Sequence, residues 1–134
     1  MMERKDDNRV PKDLTEAVEH LEETLDDVER AVVMRMSDER DMCLYHHGSG
    51  TSMRNGWGLW TGSRLKDWFN AQGIYHADDM SGIIMTSLWR HMHGVAVDVA
   101  GQVAYYQAYW RKKGIGFCHK CGTSVEIGKP EGAE

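Results

Sequence analysis

The chain has 134 residues, room for one domain, and its 41% hydrophobic and 28% charged residues form a globular composition rather than a disordered or fibrous one. No apolar run approaches the ~20 residues of a membrane span, and Met1-Met2-Glu3-Arg4-Lys5 lacks the apolar stretch of a signal peptide, so a soluble, cytoplasmic protein without membrane contacts is expected. The net charge of −5 is unevenly placed: residues 1–41 hold 14 acids against 7 bases, the remainder 7 acids against 9 bases, and the acidic part disfavours direct nucleic-acid binding.

Residues 1–12 are polar and charged and read as a flexible N-terminal tail. From Leu14 the apolar positions Leu14, Val18, Leu21, Leu25, Val28 and Val32 follow a 4-3-4-3-4 spacing, which predicts one amphipathic helix capped by Asp13. Asp13–Glu29 carries eight acids and no Lys or Arg, and Glu19, Glu22, Glu23 and Asp26 are its candidate contacts for a basic protein surface. Ser37-Asp38-Glu39 begins a second helix that stops near Gly48. Residues 48–62 are rich in glycine, contain Trp57 and Trp60, and show no clear period.

Ser63 caps a short helix with Leu65, Trp68 and Phe69 inward, closed by Gly73. Asp78 or Asp79 opens a longer one with Met80, Ile83, Ile84, Leu88 and Met92 on one side, ended by Gly94. The last helix runs from Asp98, with Val99, Val103, Tyr106 and Trp110 inward, to a basic turn before Gly114. The segment 116–127 has the makings of a small turn or hairpin. The expected fold is therefore all-α: about five helices in one domain over 13–113, an irregular Gly/Trp-rich centre, and a C-terminal tail over 114–134.

Three segments bear on chemistry. In Tyr45-His46-His47-Gly48 the adjacent histidines point about 100° apart on a helix and do not chelate one ion together. With Arg54 and Asn55, which offer a fork of donors and an amide, and with Trp57 and Trp60 to exclude water, this block is a candidate ligand or partner pocket. His76, Asp78 and Asp79 form the second block. One carboxylate there suits a helix cap, assigned to Asp78, which leaves His76 and Asp79 as pocket candidates. The third is Cys118-His119-Lys120-Cys121, a CxxC knuckle that supplies half of a zinc site; two further ligands are not selected by spacing, so no cofactor is expected, with Cys118 and Cys121 the candidate ligands if zinc binds. His91-Met92-His93 is weak as a chelate, because residues two apart lie on opposing sides of a helix.

The runs VPKDLTEAVEHLEETL, YHHGSGTSMRNGWGLW and SRLKDWFNAQGIYHADDMSGIIMTSLWRHMHG, with DVAGQVAYYQAYW behind them, resemble a family of small bacterial and phage proteins that carry a domain of unknown function. The resemblance spans roughly residues 10–110, and its motif positions include Tyr45, His46, His47, Gly48, Arg54, Asn55, Trp57, Gly58, Trp60, His76, Asp78, Asp79, Met80 and Ser81. It implies one compact domain and directs attention to the two polar blocks, without implying a reaction. Two functions stand side by side. One is a non-catalytic interaction module that binds a protein with a basic surface; the family's occurrence implies an inhibitor of a host defence or nucleic-acid-handling complex. The other is a hydrolase, transferase or small-ligand domain using a His/Arg/Asp pocket. They separate on whether those side chains converge on an open cleft.

Overall fold

The computed structural model describes residues 7–45, 48–117, 124–126 and 128. Six α-helices carry the fold: α1 (Leu14–Thr24), α2 (Asp27–Arg35), α3 (Ser49–Gly56), α4 (Arg64–Ala71), α5 (Ala77–Met92) and α6 (Val99–Lys112). Two 3-10 helices, Asp7–Arg9 and Glu39–Tyr45, and an antiparallel hairpin complete it. In the hairpin β1 (Ile115–Phe117) pairs with β2 (Ser124–Glu126), Gly116 opposite Val125. The all-α expectation holds, and the hairpin lies where the sequence allows one.

Helix α5 is the axis of the domain. Its buried residues Met80, Ile83, Ile84, Met85 and Leu88 are joined by buried Ala77, Asp79, Ser81 and Ser87, so it is covered on most of its circumference, as a helix inside a bundle must be. Helices α1, α2, α3 and α4 and the 3-10 helix Glu39–Tyr45 all pack on it. Leu14, Ala17 and Val18 of α1, Leu59, and Leu65 and Phe69 of α4 complete the core. Val10 and Pro11, read as tail from their polar neighbours, are buried, and the Val10 carbonyl accepts a 2.7 Å hydrogen bond from Arg64 Nε. The ordered domain thus reaches further towards the N-terminus than Asp13.

The single helix expected over Leu14–Val32 is two. Leu25 leaves the helical region (φ −68°, ψ 131°), and Asp26 starts α2 through a capping box: its side chain accepts the Glu29 amide at 2.8 Å, while Glu29 reaches back to the Asp26 amide. This break rotates the second half of the stripe. Val33 turns into the core, and Val28 and Val32 turn out, 72% and 39% exposed. The continuous seam that periodicity suggests does not form.

The glycine-rich segment also differs from expectation, because its first half is the regular helix α3. The helix expected from Ser37 to near Gly48 is, among the described residues, the 3-10 helix Glu39–Tyr45, whereas the following caps and stops act as expected. Ser63 caps α4 by accepting the Lys66 amide, Asp98 caps α6 by accepting the Gly101 amide, and Gly73, Gly94 and Gly114 take the positive φ that ends a helix. No helix among the described residues is long and apolar enough to cross a membrane.

Candidate functional site

The two polar blocks meet where α3 crosses the start of α5. Arg54, only 6% exposed, sits in the last turn of α3. Its Nη1 donates to Ser81 Oγ at 2.9 Å, its Nη2 to Thr51 Oγ1 at 3.0 Å, and its Nε lies 3.3 Å from Asp78 Oδ1. Thr51 is one turn back on the same face, so the helix itself presents one acceptor and the neighbouring helix the other two. Gly50 makes room for the fork: a Cβ there would lie 3.0 Å from Arg54 Nη1 and 3.1 Å from the Tyr45 carbonyl oxygen. A segment without apolar period is therefore helical because a tertiary clamp holds it.

His76, rather than Asp78, caps α5. Its Nδ1 accepts the Asp78 amide at 3.1 Å, which places any proton of the neutral ring on Nε2. The same Nδ1 lies 3.8 Å from Asp78 Oδ2, but a nitrogen that accepts an amide has no proton to offer the carboxylate, so the cap is the contact that counts. The imidazole stacks against Trp110 (5.6 Å between centroids, 27° between planes) and meets Trp60 edge-on at 5.6 Å. Asp78 is thus released from capping to pair with Arg54.

Asp79 lies about 100° round α5 from Asp78 and meets α6. It is 8% exposed, and Oδ2 accepts a 2.6 Å hydrogen bond from the Trp110 indole. Burial pushes its carboxyl above the usual range, against the lowering effect of the indole hydrogen bond and of His76. Burial and the Asp79 charge also push the Tyr106 hydroxyl up to about 12. Asp78, Asp79, Ser81 and Tyr106 line a groove of about 870 Å³ that runs between Glu39–Tyr45, α5 and α6, with Gly50 of α3 at its wall.

Of the sequence-predicted pocket residues, Arg54, Trp60, His76 and Asp79 belong to this neighbourhood. Asn55 is exposed, and Trp57 packs against the core with an edge contact to His20 at 5.6 Å. Tyr45 is half-buried against the core. His46 and His47 lie outside the described residues, as do Cys118 and Cys121. Among the described residues no group of three metal-capable side chains occurs. His91 and His93 diverge as their spacing requires, His91 to Glu22 (2.7 Å) and His93 to the Val33 carbonyl and the Trp89 ring.

Thr51, Ser81, Tyr106 and Trp110 are not among the expected pocket residues, although Ser81 is a motif position and Tyr106 and Trp110 are expected on the inward face of the last helix. Ser81 carried the best signal, a hydroxyl between Met80 and the isoleucines of a core helix, which must find a partner. It both accepts from Arg54 and donates to the Asp78 carbonyl at 3.0 Å. Its donor is committed, and the guanidinium beside it is clamped, so this cluster orders two helices and presents no free nucleophile. On the proposed acidic face, Glu22 is taken by Arg30 (3.5 Å) and His91, and Asp26 by its cap, which leaves Glu19 and Glu23 exposed.

A family model described as Domain of unknown function (DUF6794) matches residues 10–92, well over half of the chain, and ends with α5, so α6 and the hairpin lie beyond the matched part. No curated protein and no solved structure matches the chain.

Proposed function

We propose that this chain, which belongs to the DUF6794 family, is a protein-interaction module whose contact face is formed by α1 and α2. The observation that carries this reading is the outward turn of Val28 and Val32. They are one turn apart on α2, and the capping box at Asp26 removes them from the core stripe to which their spacing would assign them. Two exposed valines on α2, with exposed carboxylates at Asp27 and Glu29 of the same helix and at Glu19 and Glu23 of α1, give these two helices an apolar element among acids. Such a surface suits a partner with an apolar contact ringed by lysine or arginine, attracted over about 8 Å at physiological ionic strength.

The resemblance to phage and bacterial proteins extends the proposal to a specific kind of partner: a host complex with a basic surface, for defence or nucleic-acid handling, that the module inhibits by occupying that surface. The enzyme alternative draws no support from Arg54 and Ser81, which are engaged with each other and with Thr51, Asp78 and the backbone, nor from His76 Nδ1, which is spent on the helix cap. The test is affinity capture from a host lysate at low salt, comparing the wild type with Glu19→Lys/Glu23→Lys. A partner held by the wild type and lost by the variant, more completely as salt falls, is expected. Equal recovery by both would move the interface elsewhere, and recovery of nothing by either would contradict the reading.

A further inference from the structure

We propose that the groove between Glu39–Tyr45, α5 and α6 binds a small organic cation, a primary ammonium on an apolar body, with Asp79 as its counter-ion. None of the residues lining this groove belongs to α1 or α2, so the site stands apart from the contact face proposed above. Its volume of about 870 Å³ lies in the range of small-molecule pockets.

A carboxylate more than nine-tenths buried normally has a cation or a full set of hydrogen bonds. Asp79 has one hydrogen bond, from Trp110 to Oδ2, and no ion pair among the described residues. The nearby cations are committed elsewhere. Arg54 is held by Asp78, Ser81 and Thr51; Arg90 is paired with Glu39 and donates to the Val97 carbonyl; Arg40 is paired with Asp38 at 2.9 Å. His76 is engaged at Nδ1 and stacked on Trp110. Arg40 and Arg90 line the same groove but are paired with Asp38 and Glu39, so a buried carboxylate there that no cation meets among the described residues is a place for a cation from outside.

The rest of the groove supplies the body of the ligand with a wall. Asp79, Gly82 and Met85 recur every third residue on α5 and line the groove together, an acid and an apolar side chain about 9 Å apart along the helix. Gly82 lets the tip of Tyr106 close onto α5, since a Cβ there would come within 2.6 Å of its hydroxyl oxygen, so Tyr106 forms the wall of the groove between Asp79 and Met85. Tyr105 and Tyr106 of α6 and Met42 close the sides, and aromatic faces beside an ammonium add cation–π attraction. An extended six-carbon chain matches the length from Asp79 to Met85.

The indole N–H of Trp110 reports on the site, since it donates to the same carboxylate. We would titrate 15N-labelled full-length protein with n-hexylamine and, separately, with n-hexanol at physiological ionic strength, assigning the signal with Trp110→Phe. The expected result is a saturable shift of the Trp110 indole resonance by the amine, with the alcohol weaker by about tenfold or more. Asp79→Asn should erase that preference, and Tyr105→Ala, at an exposed position, should weaken the amine several-fold. Equal binding of amine and alcohol by the wild type, amine binding unchanged in Asp79→Asn, or no saturable shift would each overturn the proposal. The wild-type comparison stands even if a variant folds poorly.

Discussion

Replacing Arg54 by alanine probes the contact on which the geometry of both polar blocks depends. The guanidinium holds three groups: Ser81 Oγ in a buried setting, Thr51 Oγ1 in a partly buried one, and Asp78, whose side chain is 43% exposed. Hydrogen bonds from a charged donor contribute about 1.5–3 kcal/mol each when buried. The Ser81 contact earns that full range, the Thr51 contact about 1 kcal/mol, and the Asp78 pair, screened by solvent, about 0–1 kcal/mol. Lost burial of the Arg54 methylenes, in a side chain only 7% exposed, adds to this. Arg54→Ala should therefore destabilise the fold by about 3–5 kcal/mol, lowering Tm by roughly 10–20 °C in a chain of this length. Arg54→Lys places one point charge where a fork is needed and should lose about half as much. Urea unfolding followed by far-ultraviolet circular dichroism measures both. A cost below about 1 kcal/mol for Arg54→Ala would refute the clamp, and with it the account of why a glycine-rich segment is helical.

Four further outcomes follow from the same contacts. Asp79→Asn should be more stable than the wild type at pH 7 in thermal unfolding: the folded-state pKa of Asp79 is raised, so its stability contribution is full below the unfolded-state pKa and lost as pH rises through the folded one, and the advantage of Asn should vanish in acid. Leu14→Ala, in the core, should cost about 2–5 kcal/mol in urea unfolding, whereas Val28→Ala should stay within about 0.5 kcal/mol. Asp26→Ala removes the capping box and should cost about 1 kcal/mol, with faster amide exchange confined to the first turn of α2. Elemental analysis of protein purified without added metal should find no stoichiometric zinc; an ion retained by the wild type and lost by Cys121→Ser would contradict the expectation that the CxxC knuckle lacks two ligands.

The parts of the fold legible in the sequence are those fixed by nearest neighbours. Asp13, Ser63 and Asp98 as caps, and Gly73, Gly94 and Gly114 as stops, act within one turn, and each functions where its residue type suggests. The Asp26-x-x-Glu29 capping box was equally local, yet the longer apolar period running across it pointed to one helix, and the box prevails because Val33 fills the core in place of Val32. What could not be read locally rests on partners far along the chain. Arg54 meets Ser81 across 27 positions, Trp110 meets Asp79 across 31, and the groove needs α6 laid beside α5. Residue types named Arg54, His76 and Asp79 as a group; only the fold shows that Arg54 clamps α3 to Asp78 and Ser81 while Asp79, the next residue round α5, is buried against Trp110 of α6.

The central claim, that α1 and α2 form the contact face, is tested most directly by hydrogen–deuterium exchange of the chain alone and in complex with its captured partner. Added protection over residues 19–32, lost in a Val28→Asp/Val32→Asp variant that unfolds at the wild-type temperature, is the predicted result. Protection over residues 45–60 instead, with 19–32 exchanging as in the free chain, would contradict it.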